Sequence, residues 1–144
     1  MNELISVPDL SVMELLDQLK RGQRLVLDPR YGSWNFLRDE GGKTYKPVVW
    51  SPRRYVTTAE LFTRFSELGA EGNIPAFIRW VAENDPKGYW VSVPRDSGRY
   101  FVGSHDHFAP SFLRIGESRS LSLAGVRGRW YADESFVAFR EIRS

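Results

Sequence analysis

The chain of 144 residues contains no cysteine. This absence excludes disulfide bonds, thiolate zinc ligands and thiol nucleophiles together. Histidine is almost as scarce, because His105 and His107 are the only two. No apolar run approaches the roughly 18 residues of a membrane-spanning helix. The N-terminal stretch "MNELISVPDL" contains acidic residues and lacks the long apolar segment of a signal peptide. We therefore expect a soluble, cytoplasmic protein that does not contact a membrane.

The composition is that of an ordinary globular domain. A chain of this length is the size of one domain, and it can bury about 68–70% of its unfolded surface in a single core. Hydrophobic residues make up 42% of the chain and charged residues 26%, which argues against disorder. Five tryptophans and nine phenylalanines exceed what a small core requires, so some aromatic side chains are expected at a binding surface.

Positive charge comes almost entirely from arginine. The formal net charge is +2 and the sequence pI is near 9.0, a mild basic bias. Lysine occurs only at Lys20, Lys43, Lys46 and Lys87. Arginine makes planar, bidentate and stacking contacts that lysine cannot make, so the bias suits recognition of carboxylates or phosphates. The alternative is a GC-rich genome, which favours arginine codons without a functional reason.

Three helices are predicted. The first begins with a capping box of Ser11 and Glu14 and ends at Gly22. A second capping box, Thr57 with Glu60, begins a helix that ends at Gly69. The apolar positions expected to be buried in these two helices are Val12, Leu15, Leu16, Leu19, Leu61, Phe62, Phe65 and Leu68. The third helix is predicted over residues 75–84, because Pro75 fits a first turn and apolar residues repeat at helical spacing.

The remaining segments are predicted to be strands. Residues 24–28, 33–38 and 44–50 are separated by turn residues and predict an antiparallel meander, with Pro47 placing the third strand at an edge. A hairpin is predicted from residues 89–93 and 99–103. Three more strands are expected at residues 120–126, 129–132 and 135–142. The fold class is therefore α+β: a single compact domain, residues 1–144, with antiparallel sheet of about six to eight strands and three helices.

The segment "GSHDHFAPSF" (103–112) holds both histidines, with Asp106 between His105 and His107. Two histidines at this spacing on a strand face the same side and can supply two ligands to one metal ion, or an acid–base pair. A third ligand is available near strand or helix ends, from Asp28, Asp39, Asp85 or Asp133. The simpler interpretation is a polar loop in which Asp106 caps the next segment. We favour the loop and predict no metal; a metal-dependent hydrolase or nuclease using both histidines is the alternative.

Motifs of nucleotide-binding and hydrolytic enzymes do not occur. "GGKT" (41–44) imitates the end of a phosphate-binding loop, but Leu37 stands where that motif has its first glycine. The motif also needs a helix at Thr44, where the sequence predicts a strand. Neither G-x-S-x-G nor G-x-G-x-x-G is present. We therefore predict no cofactor and no catalytic residue, and favour a protein that is not an enzyme.

Residues 57–102 have the order of a winged helix-turn-helix: two helices followed by a hairpin, with Arg95 and Arg99 at its tip. Basic residues at a wing suit phosphate contacts. The second helix offers only Arg79 as a reader of base edges. This segment makes a nucleic-acid-binding protein the first alternative function.

Arginines also recur beside aromatic residues at predicted loops and hairpin tips. Arginine and aromatic side chains are enriched at interface hot spots, and they also stack on single-stranded bases. The predicted binding residues are Arg53, Arg54, Tyr55, Arg95, Arg99, Arg127, Arg129 and Trp130. We expect a non-catalytic inhibitor or adaptor, of the accessory type found in phages and mobile elements, that binds a larger protein or nucleoprotein complex. The alternative is a set of unrelated surface charges and core aromatics.

Overall fold

A computed structural model describes residues 4–8, 14–17, 25–27, 42–93, 101–102, 106–125 and 129–143, with only the backbone at 101–102, 106–108 and 125. The helices are α1, seen at residues 14–17, α2 (Thr58–Glu67) and α3 (Ile74–Asn84). The strands are β1 (Ile5–Ser6), β2 (Val26–Leu27), β3 (Thr44–Trp50), β4 (Val56–Thr57), β5 (Gly88–Ser92), β6 (Phe101–Val102), β7 (Asp106–Ile115), β8 (Ser118–Gly125), β9 (Arg129–Trp130) and β10 (Glu134–Ile142).

The main sheet has the strand order β1-β3-β10-β5-β7-β8-β2, and β6 pairs with β7 beside this path. Strands β4 and β9 form a separate two-stranded sheet. The predicted α+β class and strand number are confirmed. The sheet is mixed, however, because β10 runs parallel to β5 and β2 runs parallel to β8. The last strand of the chain thus inserts between two earlier ones instead of adding to an edge.

Side chains alternate along β10 between two hydrophobic cores on opposite faces of the sheet. Val137 and Phe139 join the core that α1 and α3 cover. Phe136 and Ala138 join the core that α2 and the β4–β9 sheet cover. Alternation of buried residues on both faces is what a strand produces when the sheet is covered on both sides.

Helix α2 begins with the predicted capping box. The Thr57 hydroxyl accepts a hydrogen bond from the Glu60 backbone N–H (3.0 Å), and the Glu60 carboxylate accepts one from the Thr57 backbone N–H (3.1 Å). Val56 and Leu61 are buried on either side of this cap, as expected of a hydrophobic staple. Leu68, which we predicted to be buried, is 44% exposed, because the helix ends at this residue.

Helix α3 is the most buried element among the described residues. It begins one residue earlier than predicted, where the Asn73 side chain accepts from the Ala76 N–H (2.9 Å) and donates to the Tyr45 hydroxyl (3.1 Å). Its buried residues are Ile74, Pro75, Ala76, Phe77, Ile78, Trp80 and Val81. In α1, Leu15 and Leu16 are buried as predicted, while the predicted cap Ser11 lies outside the described residues.

The winged-helix interpretation of residues 57–102 is wrong in its structural premise. Seven of the eleven residues of helix α3 are buried, and Arg79, the predicted reader of base edges, is ion-paired with Glu83 (3.0 Å). The predicted hairpin is wrong as well. Both edges of β5 are taken, by β10 and β7, and β6 pairs with β7. Since β5 and β6 are both antiparallel to β7, they run in the same direction.

The meander predicted for residues 24–50 is also wrong at its first strand. Strand β2 pairs with β8, at the opposite end of the sheet from β3. The predicted middle strand, residues 33–38, lies outside the described residues. The short turns between the predicted strands indicated that strands adjacent in sequence pair with each other. Instead, β2 pairs with β8 and β3 pairs with β10, both far along the chain. The strands predicted near the C-terminus are confirmed as β8, β9 and β10.

Strand β7 falls where we expected a loop. This strand contains Pro110, which has no N–H to donate to a ladder. The pairing between β5 and β7 ends at Val91 and Ser111, next to this proline. Pro110 is therefore accommodated where the ladder with β5 stops, while β8 continues along the other edge of β7.

Pro47 is accommodated in β3 by a different arrangement. It lies opposite Phe139, whose N–H and C=O both bond to the backbone of Glu71 (2.8 and 3.0 Å). The Pro47–Phe139 pair is therefore not hydrogen-bonded, and the missing N–H faces the outer edge of the sheet. Within the described residues, β1 covers only the first two residues of that edge, Thr44 and Tyr45. This agrees with the edge position that Pro47 predicted.

We predict that Thr57→Ala lowers the free energy of unfolding by about 1 kcal/mol, because the α2 N-cap loses its acceptor. Thr57→Ser keeps the hydroxyl and should stay within about 0.5 kcal/mol of wild type. Urea unfolding of the three proteins measures both values. Equal losses in the alanine and serine variants would show that the methyl group in β4, and not the cap, stabilises this junction.

Candidate interaction surface

The β4–β9 pairing joins two segments that are distant in the chain. Val56 lies opposite Trp130, so the exposed residues next to them, Tyr55 and Tyr131, meet. Their ring centroids are 5.9 Å apart in an edge-to-face arrangement. The guanidinium carbon of Arg129 lies 4.8 Å from the Tyr55 ring centroid, within the range of a cation–π contact. Arg129 is therefore held against an aromatic face while its side chain stays at the surface.

A second arginine–aromatic contact surrounds Trp50, the last residue of β3. The guanidinium carbon of Arg64 lies 4.3 Å from the Trp50 ring centroid, and that of Arg54 lies 5.9 Å away. The inner side of the indole packs on Phe65 and Phe136, each with a centroid distance of 6.4 Å. The half-buried Trp50 thus packs on two phenylalanine rings on its inner side and contacts two arginine side chains near the surface.

These two contacts are continuous, because Arg54 precedes Tyr55 and donates to its carbonyl oxygen (3.0 Å). We name the combined feature the arginine–aromatic surface. Its members are Trp50, Arg53, Arg54, Tyr55, Arg64, Arg129 and Tyr131. It combines four guanidinium groups with three aromatic rings.

One arginine of this surface is ion-paired. Glu60 forms an ion pair with Arg54 (2.9 Å). The hydrogen bond from Arg54, together with that from the Thr57 backbone, lowers the pKa of Glu60 below its ordinary value, so the carboxylate is ionised at neutral pH. Arg53, Arg64 and Arg129 form no ion pair with any residue that the structure describes. The surface therefore carries an excess of positive charge.

Arg53 has an unusual backbone. Its φ angle is 57°, in the left-handed region that L-residues other than glycine and asparagine rarely adopt. This conformation costs about 1–2 kcal/mol for a residue with a Cβ atom. Strained non-glycine residues of this kind cluster at functional sites, where their side chains are used. The arginine at this position is exposed.

The structure brings together four of the predicted binding residues: Arg53, Arg54, Tyr55 and Arg129. Trp130 lies beneath them with 0% of its surface exposed; its indole N–H donates to the Thr58 hydroxyl (3.0 Å). We interpret Trp130 as a support for the surface. The other predicted binding residues lie outside the described part of the chain: Arg95, Arg99 and Arg127.

The predicted binding residues did not include Trp50, Arg64 or Tyr131. Arg64 lies on a helix, where a single charged residue looks like an ordinary solvated position, and its contact with Trp50 arises only from the packing of α2 on the sheet. Tyr131 had a visible signal, because it follows Trp130 in the same short strand segment. The register of β4 with β9, which pairs it with Tyr55, was not visible.

The histidine segment is a strand at the positions that are described. Asp106 and His107 begin β7, and the His107 backbone lies opposite Phe101 in β6. The expected loop is therefore wrong for these residues, while His105 lies outside the described residues. Searched among the described residues alone, no cluster of three potential metal ligands is found. A metal site formed by His105 and His107 remains a hypothesis based on the sequence alone.

A second charged cluster joins the end of α3 to the β7–β8 hairpin. Arg119 donates to both carboxylate oxygens of Asp85, with Nε at 2.7 Å from Oδ1. Arg114 donates to the Asp85 carbonyl oxygen (2.7 Å) and lies 3.0 Å from Oδ2. Arg114 and Arg119 are cross-strand neighbours, and like charges at such positions repel. Asp85 relieves this repulsion and is therefore engaged in an ion-pair network.

Comparison with known proteins yields no relative: no protein-family model, no curated protein and no solved structure matches the chain. Among the described helices, none has the length and apolar character needed to cross a membrane. Function therefore has to be argued from the side chains and their geometry.

We predict that Asp85→Asn lowers the free energy of unfolding at neutral pH by about 1–2 kcal/mol, through loss of charge-assisted hydrogen bonds. Asparagine tolerates the left-handed backbone (φ 44°) at this position, so the substitution isolates the charge. The hydrogen bond from Arg119 lowers the pKa of Asp85 below its ordinary value of 3.8. Its stabilisation is thus complete above about pH 4 and is lost as the pH falls through the lowered value.

Denaturant unfolding of both proteins between pH 7 and pH 2 measures this difference. We expect the two stabilities to converge at the acidic end. A difference that does not shrink as the pH falls below 3.8 would contradict the assignment, because protonation of Asp85 in the unfolded state must then reduce the stabilisation.

Proposed function

We propose that this protein is a non-catalytic binding protein, an inhibitor or adaptor, that occupies a surface of a larger protein or nucleoprotein complex. Its contact region is the arginine–aromatic surface. The observation that carries the proposal is the contact of Arg64 with Trp50 and of Arg129 with Tyr55, beside the exposed Tyr131. Neither arginine is ion-paired within the described residues, and the exposed Arg53 is adjacent to Arg54 in the chain. An accessory protein of a phage or mobile element is the type of protein that we have in mind.

The exposure of the aromatic residues supports a role in binding. Tyr55 is 54% exposed and Tyr131 is 49% exposed, although each ring is large and apolar. Tyrosine and arginine are enriched among the residues that dominate binding energy at interfaces. A partner that covers both rings removes apolar area from water and also desolvates the neighbouring cations, which strengthens their electrostatic contacts.

The rigidity of the surface supports the same conclusion. Arg129 rests on Tyr55, and Arg64 rests on Trp50, so two long side chains are already held in place. An arginine that is ordered before binding loses less conformational entropy when the complex forms. Trp130 and Phe136 pack against each other below the surface, with ring centroids 5.8 Å apart, and keep its base fixed.

The double variant Arg53→Glu/Arg129→Glu is expected to lose its partner. Affinity capture from extracts of the source cells, followed by mass spectrometry with and without nuclease, is the measurement. Wild type should retain a partner that the double variant does not retain, since two cations become anions within one contact region. The unfolding free energy should stay within about 1 kcal/mol of wild type, because only the cation–π contact of Arg129 is removed.

The matched control is Arg140→Glu/Arg143→Glu, which changes the net charge equally. Both residues are exposed and lie toward the end of β10 that is remote from Trp50, whose strand partner is Phe136. The control should capture the partner as wild type does. Retention of the same partner by Arg53→Glu/Arg129→Glu would contradict the proposal, as would the absence of any captured macromolecule in wild type.

Arg53 allows stability and binding to be separated. Arg53→Gly should raise the unfolding free energy by up to about 1 kcal/mol, because glycine relieves the left-handed strain but gains entropy in the unfolded chain. Arg53→Ala keeps the strain and should leave stability unchanged. Both variants remove the guanidinium and should weaken capture of the partner equally. A glycine variant that is less stable than the alanine variant would show that this backbone is not strained.

A further inference from the structure

We infer that the arginine–aromatic surface binds an acidic protein segment, in which carboxylate side chains engage the arginines and apolar side chains cover the two tyrosines. This inference rests on the proposed function and names the chemistry of the partner.

The charge of the surface requires an anionic partner. Of the four guanidinium groups, only that of Arg54 is ion-paired among the described residues, with the Glu60 carboxylate. An apolar or basic partner would leave Arg53, Arg64 and Arg129 covered and unneutralised, and a buried unpaired charge is strongly unfavourable. Complementary charge on the partner removes this penalty and accelerates the encounter.

The stacked arginines present the group that carboxylates recognise. The guanidinium carbons of Arg64 and Arg129 lie 4.3 and 4.8 Å from the ring centroids of Trp50 and Tyr55. The N–H donors lie in the guanidinium plane and point outward from its edge. A carboxylate binds this edge through two parallel hydrogen bonds. Stacking on a ring and binding a carboxylate are therefore compatible at the same arginine.

The Arg54–Glu60 ion pair gives an internal example of this mode. Arg54 lies 5.9 Å from the Trp50 ring centroid and, at the same time, donates to the Glu60 carboxylate at 2.9 Å. One arginine of the surface, Arg54, is thus neutralised by the protein's own Glu60 carboxylate. Arg53, Arg64 and Arg129 are left for carboxylates supplied by a partner.

The same geometry disfavours a single-stranded nucleic acid. Sequence-tolerant binding of single strands depends on bases stacking on free aromatic faces. Arg64 lies over Trp50, Arg129 lies over one face of Tyr55, and Tyr131 meets Tyr55 edge to face. A base would have to displace an arginine that is already stacked. Phosphates alone would use the cations but would leave the exposed tyrosine rings without an apolar partner.

The test compares two labelled probes by fluorescence anisotropy at equal ionic strength. One is a short peptide in which glutamates alternate with leucine and serine; the other is a single-stranded oligothymidylate with the same number of negative charges. We expect wild type and Arg140→Glu/Arg143→Glu to bind the peptide equally. Arg53→Glu/Arg129→Glu should bind it at least about tenfold more weakly, and the oligothymidylate should bind wild type at least about tenfold more weakly than the peptide does.

A second variant separates guanidinium geometry from charge. Arg129→Lys keeps the positive charge but loses the planar fork and its stacking on Tyr55. We expect a several-fold loss of peptide affinity. Wild-type affinity in this variant would overturn the bidentate arrangement at Arg129.

The outcomes also separate this inference from the proposed function. Tighter binding of the oligothymidylate than of the peptide, or no peptide binding at low salt, would overturn the acidic segment. If cell extracts still yield a partner that Arg53→Glu/Arg129→Glu loses, the binding function stands with a different partner chemistry. If that capture fails as well, the proposed function itself is overturned.

Discussion

Both hydrophobic cores of the protein depend on one strand, β10. It pairs with β3 on one edge and with β5 on the other, and its side chains enter the cores on both faces of the sheet. Phe136 on this strand contacts the rings of Trp50 and Trp130. Trp130, which supports the arginine–aromatic surface, and Trp50, which belongs to it, are therefore both held by β10. Strands β3 and β5 are joined in the main sheet through β10.

A few residues connect the arginine–aromatic surface to the hydrophobic core below it. Trp130 is buried, donates to Thr58 at the start of α2 and lies opposite Val56. The same short β4–β9 pairing then presents Tyr55, Arg129 and Tyr131 outward. A two-stranded ribbon of this length is marginal by itself, so its geometry comes from the core below and from the capped helix that follows. The core thus holds the exposed residues of this short ribbon in place.

Local sequence signals predicted the elements and failed at their long-range pairing. The capping box of Thr57 with Glu60 and the apolar spacing of α3 were sufficient, because neighbouring residues determine both. The partners of β2 and β5 were not visible, since pairing across the sheet depends on which faces can be buried together. The candidate site divides in the same way. Arg54 and Tyr55 form a recognisable local pattern, whereas Arg64 joins them only through the packing of α2 on Trp50. The network of Asp85 with Arg119 spans 34 residues and had no local signal.

Pro47 has a consequence for self-association. An open sheet edge is a template for strands of other molecules, which add by donating to and accepting from its backbone. On the outward side of β3, Tyr45 is paired with β1, and the next outward-facing position is Pro47, which has a carbonyl group but no N–H. Within the described residues, an incoming strand would lose one hydrogen bond at the centre of this short edge. Along the described part of this edge, Pro47 thus removes a donor that strand addition would need, and its own ladder with β10 is unaffected.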